Sequence, residues 1–267
     1  MSTLLGKVAV VTGSGNGIGR AIALAMAEAG AAVTVSDVLV EDGERTVREI
    51  LALGGSAIFV RTDISVAAEA QNLIDTTVSA LGGIDILVNN AGMGGSSARL
   101  HEIEPDDFDR VLDVNLRGTF LCSKFALPHF LAKRDGRIIN IASTYGIVAA
   151  PKSAAYCATK AGIIHLTRQL AVDYGPDQIR VNAICPGYID TSLGRRAALL
   201  SAEELVDASA RREKAAAMQP LGRQAQPSEV ASVAVFLAGD GASFMTGSIV
   251  TVDGGCTTTF NYGEASN

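Results

Sequence analysis

The chain has 267 residues, 48% of them apolar, and its 22 Lys and Arg stand against 28 Asp and Glu for a net charge of −6. With no basic cluster to offset that balance, nucleic acid and anionic membrane surfaces are excluded as main partners, and a small diffusible ligand fits better. The length suits one continuous α/β core.

In chain order, the first apolar run begins at Val8, and too few apolar residues follow to build a signal peptide or a membrane span, which points to the cytoplasm. KVAVVTG is a β-branched run that ends in glycine. After the loop, Ile18, Ile22, Ala25, Met26 and Ala29 recur at helical spacing until Gly30. AAVTVSD predicts a second strand, EDGERTVREILALGG a helix, SAIFVRTD a strand and AAEAQNLIDTTVSALGG a helix. IDILVNNAG continues the rhythm. A long helix near Phe108 to Leu131, the strand GRIINIAS, a helix from about Ser153 to Tyr174 and the strand IRVNAICPG follow. The alternation predicts a doubly wound parallel sheet with helices on both faces, in a single domain of residues 1–267. It breaks once, at residues 190–226, where SAEELVDASARREKAAAMQ opens with a capping box of Ser201 and Glu204. That stretch sits where a substrate lid is expected. PSEVASVAVFLAG and GSIVTVDGG restore helix and strand.

Four cysteines, Cys122, Cys157, Cys185 and Cys256, show no C-x-x-C, and His101, His129 and His165 show no H-E-x-x-H. No metal site is expected, and the thiols read as buried and reduced.

VTGSGNGIGR does not spell G-x-G-x-x-G, since neither register closes on glycine. Taken as G-x-x-x-G-x-G, it sets Gly13 at the strand end and Gly17 and Gly19 at the helix start, with Asn16 and Ile18 between them. Missing side chains let backbone approach a diphosphate, whose charge the helix N-terminus favours. Asp37 ends the second strand twenty residues beyond Gly17, where a carboxylate accepts hydrogen bonds from an adenosine ribose and repels a 2′-phosphate. No Arg or Lys occupies Ser14, Gly15, Asn16, Val38 or Leu39, so the expected cofactor is NAD rather than NADP.

Tyr156 and Lys160 lie four apart, on one helical face with Ile163, Thr167 and Leu170. An unperturbed phenol titrates near about 10, and a neighbouring ammonium is expected to lower that value. Ser143 follows the strand GRIINIA, at the end where ligands gather in parallel sheets.

TGSGNGIG, NNAG at residues 89–92, Asn115 in VNLRG, Ser143 thirteen positions before Tyr156, YCATK, RVNAICPG, PLGR and VDGG occur in one order over nearly the whole chain. In this the sequence resembles the short-chain dehydrogenase/reductase family, in its compact single-domain form. The resemblance implies a catalytic tetrad of Asn115, Ser143, Tyr156 and Lys160. In it Tyr156 exchanges the proton, Ser143 orients the reacting oxygen, Lys160 holds the nicotinamide ribose and Asn115 positions a water. It further implies cofactor contacts from Asp63 and Ile64, from Asn90, Ala91 and Gly92, and from Pro186, Gly187, Ile189 and Thr191. Asn89 is expected mainly to tie strands together. Met93, Gly94, Tyr145, Tyr188 and Leu193 are expected to face the substrate beside Ser143, and relatives assemble as homotetramers.

The expected activity is hydride transfer between NAD(H) and a secondary alcohol or ketone, on a polyol, sugar acid or cyclic alcohol. An NADPH-dependent 3-oxoacyl-thioester reductase and a non-catalytic NAD-binding sensor or scaffold are the alternatives. The first is disfavoured by Asp37 and the second by the intact tetrad.

Overall fold

The computed structural model describes residues 3–191, 201–217 and 219–258. Seven strands carry the fold: β1 (Val8–Thr12), β2 (Ala32–Asp37), β3 (Ser56–Arg61), β4 (Ile86–Asn89), β5 (Gly136–Ile141), β6 (Ile179–Pro186) and β7 (Ile249–Val252). They form one sheet in the order β3-β2-β1-β4-β5-β6-β7, every pairing parallel. Alternation along β1 sends Ala9 and Val11 to one face and Val10 to the other. Both faces are dry because helices cover each of them.

On the first face lie α1 (Gly17–Glu28), α2 (Val40–Ala52) and α8 (Pro227–Ala238), which set Ile22, Met26, Ile50, Val230 and Leu237 against the sheet. On the second, α3 (Ala67–Leu81), α5 (Gly118–Lys133) and α6 (Ala154–Tyr174) contribute Leu73, Ile74, Leu121, Phe130 and Ala171. α4 (Pro105–Leu112) precedes α5, and α7 (Ala202–Ala217) fills the middle of the interruption seen in the sequence. Ser201 opens α7 through its carbonyl, which accepts the Leu205 N–H. The side chain of Glu204, its expected capping partner, lies outside the described residues.

The helix expected over Phe108–Leu131 is not continuous. α4 stops at Leu112, and the backbone runs through a π-helical segment, Asp113–Arg117, before α5 resumes. Apolar periodicity cannot signal such a break, because a π-turn adds a residue without adding a helix breaker. Its effect is local and specific: Asn115 faces inward and is fully buried.

Because the strand order reverses between β1 and β4, their connections leave in opposite directions and open a crevice at the carboxyl edge of the sheet. Gly13, Asn90, Ser143 and Gly187 follow β1, β4, β5 and β6 at that same edge. Among the described residues no helix is long and apolar enough to cross a membrane, and no cluster of His, Cys, Asp or Glu could hold a metal ion.

Candidate active site

The glycine loop turns at Gly13, whose φ of +61° is left-handed and costs glycine little. Asn16 then caps α1, its side-chain oxygen accepting the Gly17 N–H at 2.7 Å. Gly19 meets a different demand. A Cβ there would stand 2.2 Å from the Gly13 carbonyl oxygen and 2.3 Å from Asn90 Nδ2, so any side chain would push the helix off the loop. At Gly17 a Cβ would meet only the Thr191 side chain, its methyl at 3.4 Å and its Cβ at 3.5 Å. This is a cradle of bare backbone at a helix N-terminus, and it fits a dinucleotide's diphosphate.

Asp37 flanks the cradle. Its Oδ2 accepts the Gly15 N–H and its Oδ1 the Leu39 N–H, each at 3.0 Å. The carboxylate is thus aimed at the space beside the loop, as a ribose ligand must be. One neighbour was not legible in the sequence. Arg45, eight residues along in α2, donates from Nη2 to the Gly15 carbonyl at 3.0 Å and pairs through Nη1 with Asp42 at 2.7 Å. A cation does stand near this acid, contrary to the expectation drawn from the loop residues alone.

At the other end, α6 brings Tyr156 and Lys160 under Ser143. The Lys160 ammonium is buried and donates to the Ile141 carbonyl at 2.7 Å, with its Nζ 5.6 Å from the centroid of the Tyr156 ring. Burial lowers it to about 8, and the nearby Cys185 thiol opposes that fall. Burial also pushes the Tyr156 phenol up, while a hydrogen bond with the Ser143 hydroxyl pulls it back. The expected lowering of the phenol by Lys160 is therefore not what this geometry produces. At 5.6 Å from the ring the ammonium is turned toward a backbone carbonyl, and desolvation is the larger effect on both groups.

Asn115 spends its amide on the neighbouring loop. Its Oδ1 accepts the Met93 N–H at 2.8 Å, and its Nδ2 donates to the Met93 carbonyl at 2.9 Å and to Thr159 Oγ1 at 3.1 Å. A Cβ at Gly92 would lie 3.1 Å from Asn115 Oδ1 and 3.5 Å from Lys160 Nζ, so both side chains converge on that glycine. All four tetrad residues thus meet at one edge of the sheet.

The remaining expected residues divide. Asn89 bridges β4 to Asn140 at 2.9 Å and to Ser123 at 3.0 Å, the structural role its strand position suggested. Asn90 donates to the carbonyls of Thr12 and Gly13, each at 2.9 Å, and so locks the loop beside Ala91 and Gly92 to the cradle. Asp63 is engaged by the Ser65 hydroxyl at 2.6 Å and its N–H at 3.0 Å. The side chains of Ile64 and Ile189 are core, which leaves only their backbone to face a ligand. Gly187 passes β7 so closely that a Cβ would sit 2.8 Å from the Asp253 Cα, and Pro186 closes β6 just before it. Tyr145 stacks edge-on to Tyr156 with centroids 6.2 Å apart, and its hydroxyl lies 3.5 Å from that of Tyr188. Burial, then the bond with Tyr188, raises the Tyr145 phenol well above its ordinary value. Met93 is half-buried and Gly94 exposed, while Leu193 lies outside the described residues. Of the cysteines only Cys122 and Cys185 are buried, burial raising their thiols to about 12 and about 11; Cys157 and Cys256 are partly exposed.

Fold and site together place the chain among the nicotinamide-dependent oxidoreductases built on a doubly wound sheet. It belongs to the short-chain dehydrogenase/reductase family: a family model described as enoyl-(acyl carrier protein) reductase matches residues 13–257. Among its relatives, cis-4-hydroxycyclohexanecarboxylate dehydrogenase of Sinomonas cyclohexanicum is 43% identical, over 94% of this chain and 96% of that protein. Cyclohexanol dehydrogenase of an Acinetobacter species is 37% identical, over 94% and 95%. A solved structure of a 3-oxoacyl-[acyl-carrier protein] reductase from Brucella melitensis with bound NAD superposes with a TM-score of 0.84 at 36% identity, covering 95% of this chain and 92% of that one.

Proposed function

We propose that this protein is an NAD-dependent dehydrogenase that interconverts a secondary alcohol on a ring with its ketone, using Tyr156 as the general acid/base. The observation that carries this reading is the convergence of Ser143, Tyr156 and buried Lys160 at the sheet edge that also holds the glycine cradle and Asp37. When bound, the nicotinamide supplies a hydride acceptor for alcohol oxidation and a donor for the reverse.

The protein's own residues do the rest. The cradle from Gly13 to Gly19 binds the diphosphate, Asp37 the adenosine ribose, and Thr191 stands over Gly17 to close that side. Ser143 orients the carbinol oxygen, and Tyr156 removes its proton as the C–H hydride departs, leaving the carbonyl. A phenol held high by burial keeps its proton, so Tyr156 rests in the protonated form that ketone reduction draws on, and alcohol oxidation needs positive charge beside it to favour the phenolate. Lys160 supplies such a charge one helical turn away, although burial remains the larger effect on the phenol. The residues Asp63 and Ile64, Asn90 to Gly92, and Pro186, Gly187 and Ile189 complete the cofactor wall, chiefly through backbone. We assign water positioning to Asn115, through whatever acceptor capacity its carbonyl retains beyond the Met93 N–H.

The ring-alcohol class rests on the two relatives named for cyclohexane-based substrates and on Tyr145, whose ring lies edge-on to Tyr156 and whose hydroxyl lies 3.5 Å from that of Tyr188. The competing reading, a 3-oxoacyl-thioester reductase, is favoured by the Brucella structure. A panel of cyclic and open-chain secondary alcohols, their ketones and a 3-oxoacyl thioester separates the two, with NAD(H) and NADP(H) compared by absorbance of the reduced nicotinamide. Highest kcat/KM on a cyclic pair with NAD supports the assignment; highest kcat/KM on the thioester, or with NADPH, overturns it.

We also assign residues 190–226, of which 192–200 and 218 lie outside the described residues, to a substrate lid, and the assembly to a homotetramer. α5 leaves Phe120 and Leu131 exposed beside a groove of about 230 Å³ shared with α6, and Phe244 ahead of β7 is fully exposed. Light scattering on the purified protein tests the tetramer; a monomeric mass at micromolar concentration rejects it.

A further inference from the structure

We infer that Arg45 is a restrained cation beside the adenosine ribose site, and that Asp42 keeps it from accepting a ribose 2′-phosphate. The inference rests on the NAD reading above and extends it, because it assigns cofactor discrimination to a second pair of charges as well as to Asp37.

The geometry is a chain of contacts through one peptide. Gly15 gives its N–H to Asp37 Oδ2 at 3.0 Å, and its carbonyl accepts from Arg45 Nη2 at 3.0 Å and from the Thr46 hydroxyl at 3.4 Å. The guanidinium and the discriminating carboxylate are therefore one residue's backbone apart. A Cβ built on Gly15 would stand 2.8 Å from the Asp42 Cβ and 3.0 Å from Asp37 Oδ2, which puts both acids on one side of the loop. Arg45 Nη1 is tied to Asp42 Oδ1 at 2.7 Å, an i,i+3 pair in the first turns of α2. On the outer side of the same helix Arg48 and Glu44 pair with each other at 3.8 Å.

Arg45 keeps unspent N–H donors, and a guanidinium binds phosphate through two parallel bonds. With Asp42 in place its charge is neutralised locally and its fork is held by two acceptors, Asp42 on Nη1 and the Gly15 carbonyl on Nη2. The acids Asp37 and Asp42 then outnumber it at the position where a 2′-phosphate would bring about two further negative charges. Removing the Asp42 charge frees the fork without touching Asp37 or the glycine cradle.

The test is a direct binding titration of NADPH and NADH by nicotinamide fluorescence, on the full-length protein and without substrate. Asp42→Asn is expected to tighten NADPH by about tenfold while changing NADH by less than about twofold, the effect of one additional charge-assisted hydrogen bond to the phosphate. Adding Arg45→Gln to that variant is expected to cancel the tightening. Asp42→Ser repeats the measurement should the Asn variant fold poorly, as judged by its thermal melt. Loss of an acid alone would also help an anion, so the double variant decides. If it binds NADPH as tightly as Asp42→Asn does, Arg45 is not the cation and the inference is wrong. No tightening in either Asp42 variant is equally fatal. Wild-type preference for NADPH over NADH would overturn the NAD reading instead, and the Arg45 comparison would still be judged on its own pair of variants.

Discussion

The two ends of the cofactor crevice handle charge in opposite ways. At the adenosine end Asp37 is half-buried, takes two backbone N–H groups and stands near the Arg45 and Asp42 pair, so its negative charge is met by donors. At the chemical end Tyr156 and Lys160 lie against the core, where burial works against both the phenolate and the ammonium. The contrast follows from the work proposed for each end. Recognition of a ribose needs a fixed acceptor, which hydrogen bonds from a glycine loop supply. Proton exchange needs a group near the balance between its two states, and burial moves Lys160 toward that balance while it moves the Tyr156 phenol away from it.

The strongest attempt to break this comparison is Tyr156→Phe, which removes one hydroxyl and leaves the fold's packing intact. Turnover is expected to fall by about a thousandfold with dinucleotide affinity retained. Residual activity within tenfold of wild type would mean that the chemical end lies elsewhere.

Next in size is the burial of Lys160. Below pH 8 the lysine is protonated in both the folded and the unfolded chain, and the folded state bears the full cost. Between about 8 and the ordinary 10.5 the folded side chain has shed its proton while the unfolded one keeps it, so stability rises with pH through that window. Lys160→Met lacks the contribution. Denaturant unfolding at pH 7 and again near 10 is expected to show the wild type gaining on the variant by up to about 3 kcal/mol, and a constant difference would refute the buried ammonium.

At the other end, Asp37→Ser is expected to raise the KM for NAD about tenfold with kcat preserved, since only ground-state binding is lost. A fall in kcat instead would show the two ends to be coupled. The smallest effect falls to Tyr145→Phe, which removes the hydroxyl facing Tyr188 but keeps the aromatic wall. A change in substrate KM of about two- to fivefold is expected, with cofactor KM unaffected.

Much of this arrangement was legible along the chain. Glycines at Gly13, Gly17 and Gly19, the acid closing β2, and Tyr156 and Lys160 one helical turn apart are all local patterns, and each landed where its spacing implied. The π-helical segment at Asp113–Arg117 was not legible, because the apolar residues on either side keep a helical period while the backbone between them slips by one. Arg45 was missed for a related reason: only the packing of α2 against the loop returns a residue eight positions past Asp37 to the Gly15 carbonyl.

By itself, then, the sequence determined the parallel α/β class, the glycine loop at the end of the first strand and the shared helical face of Tyr156 and Lys160, since short-range spacing on strands and helices sets which side chains share an edge or a face; Asn115 was reached only through the family resemblance. Tertiary structure alone decided that Asn115 secures Met93, that a cation stands beside Asp37, and that burial raises the Tyr156 phenol rather than Lys160 lowering it. Desolvation and long-range hydrogen bonding depend on what the rest of the chain brings near a group, and no local pattern records that.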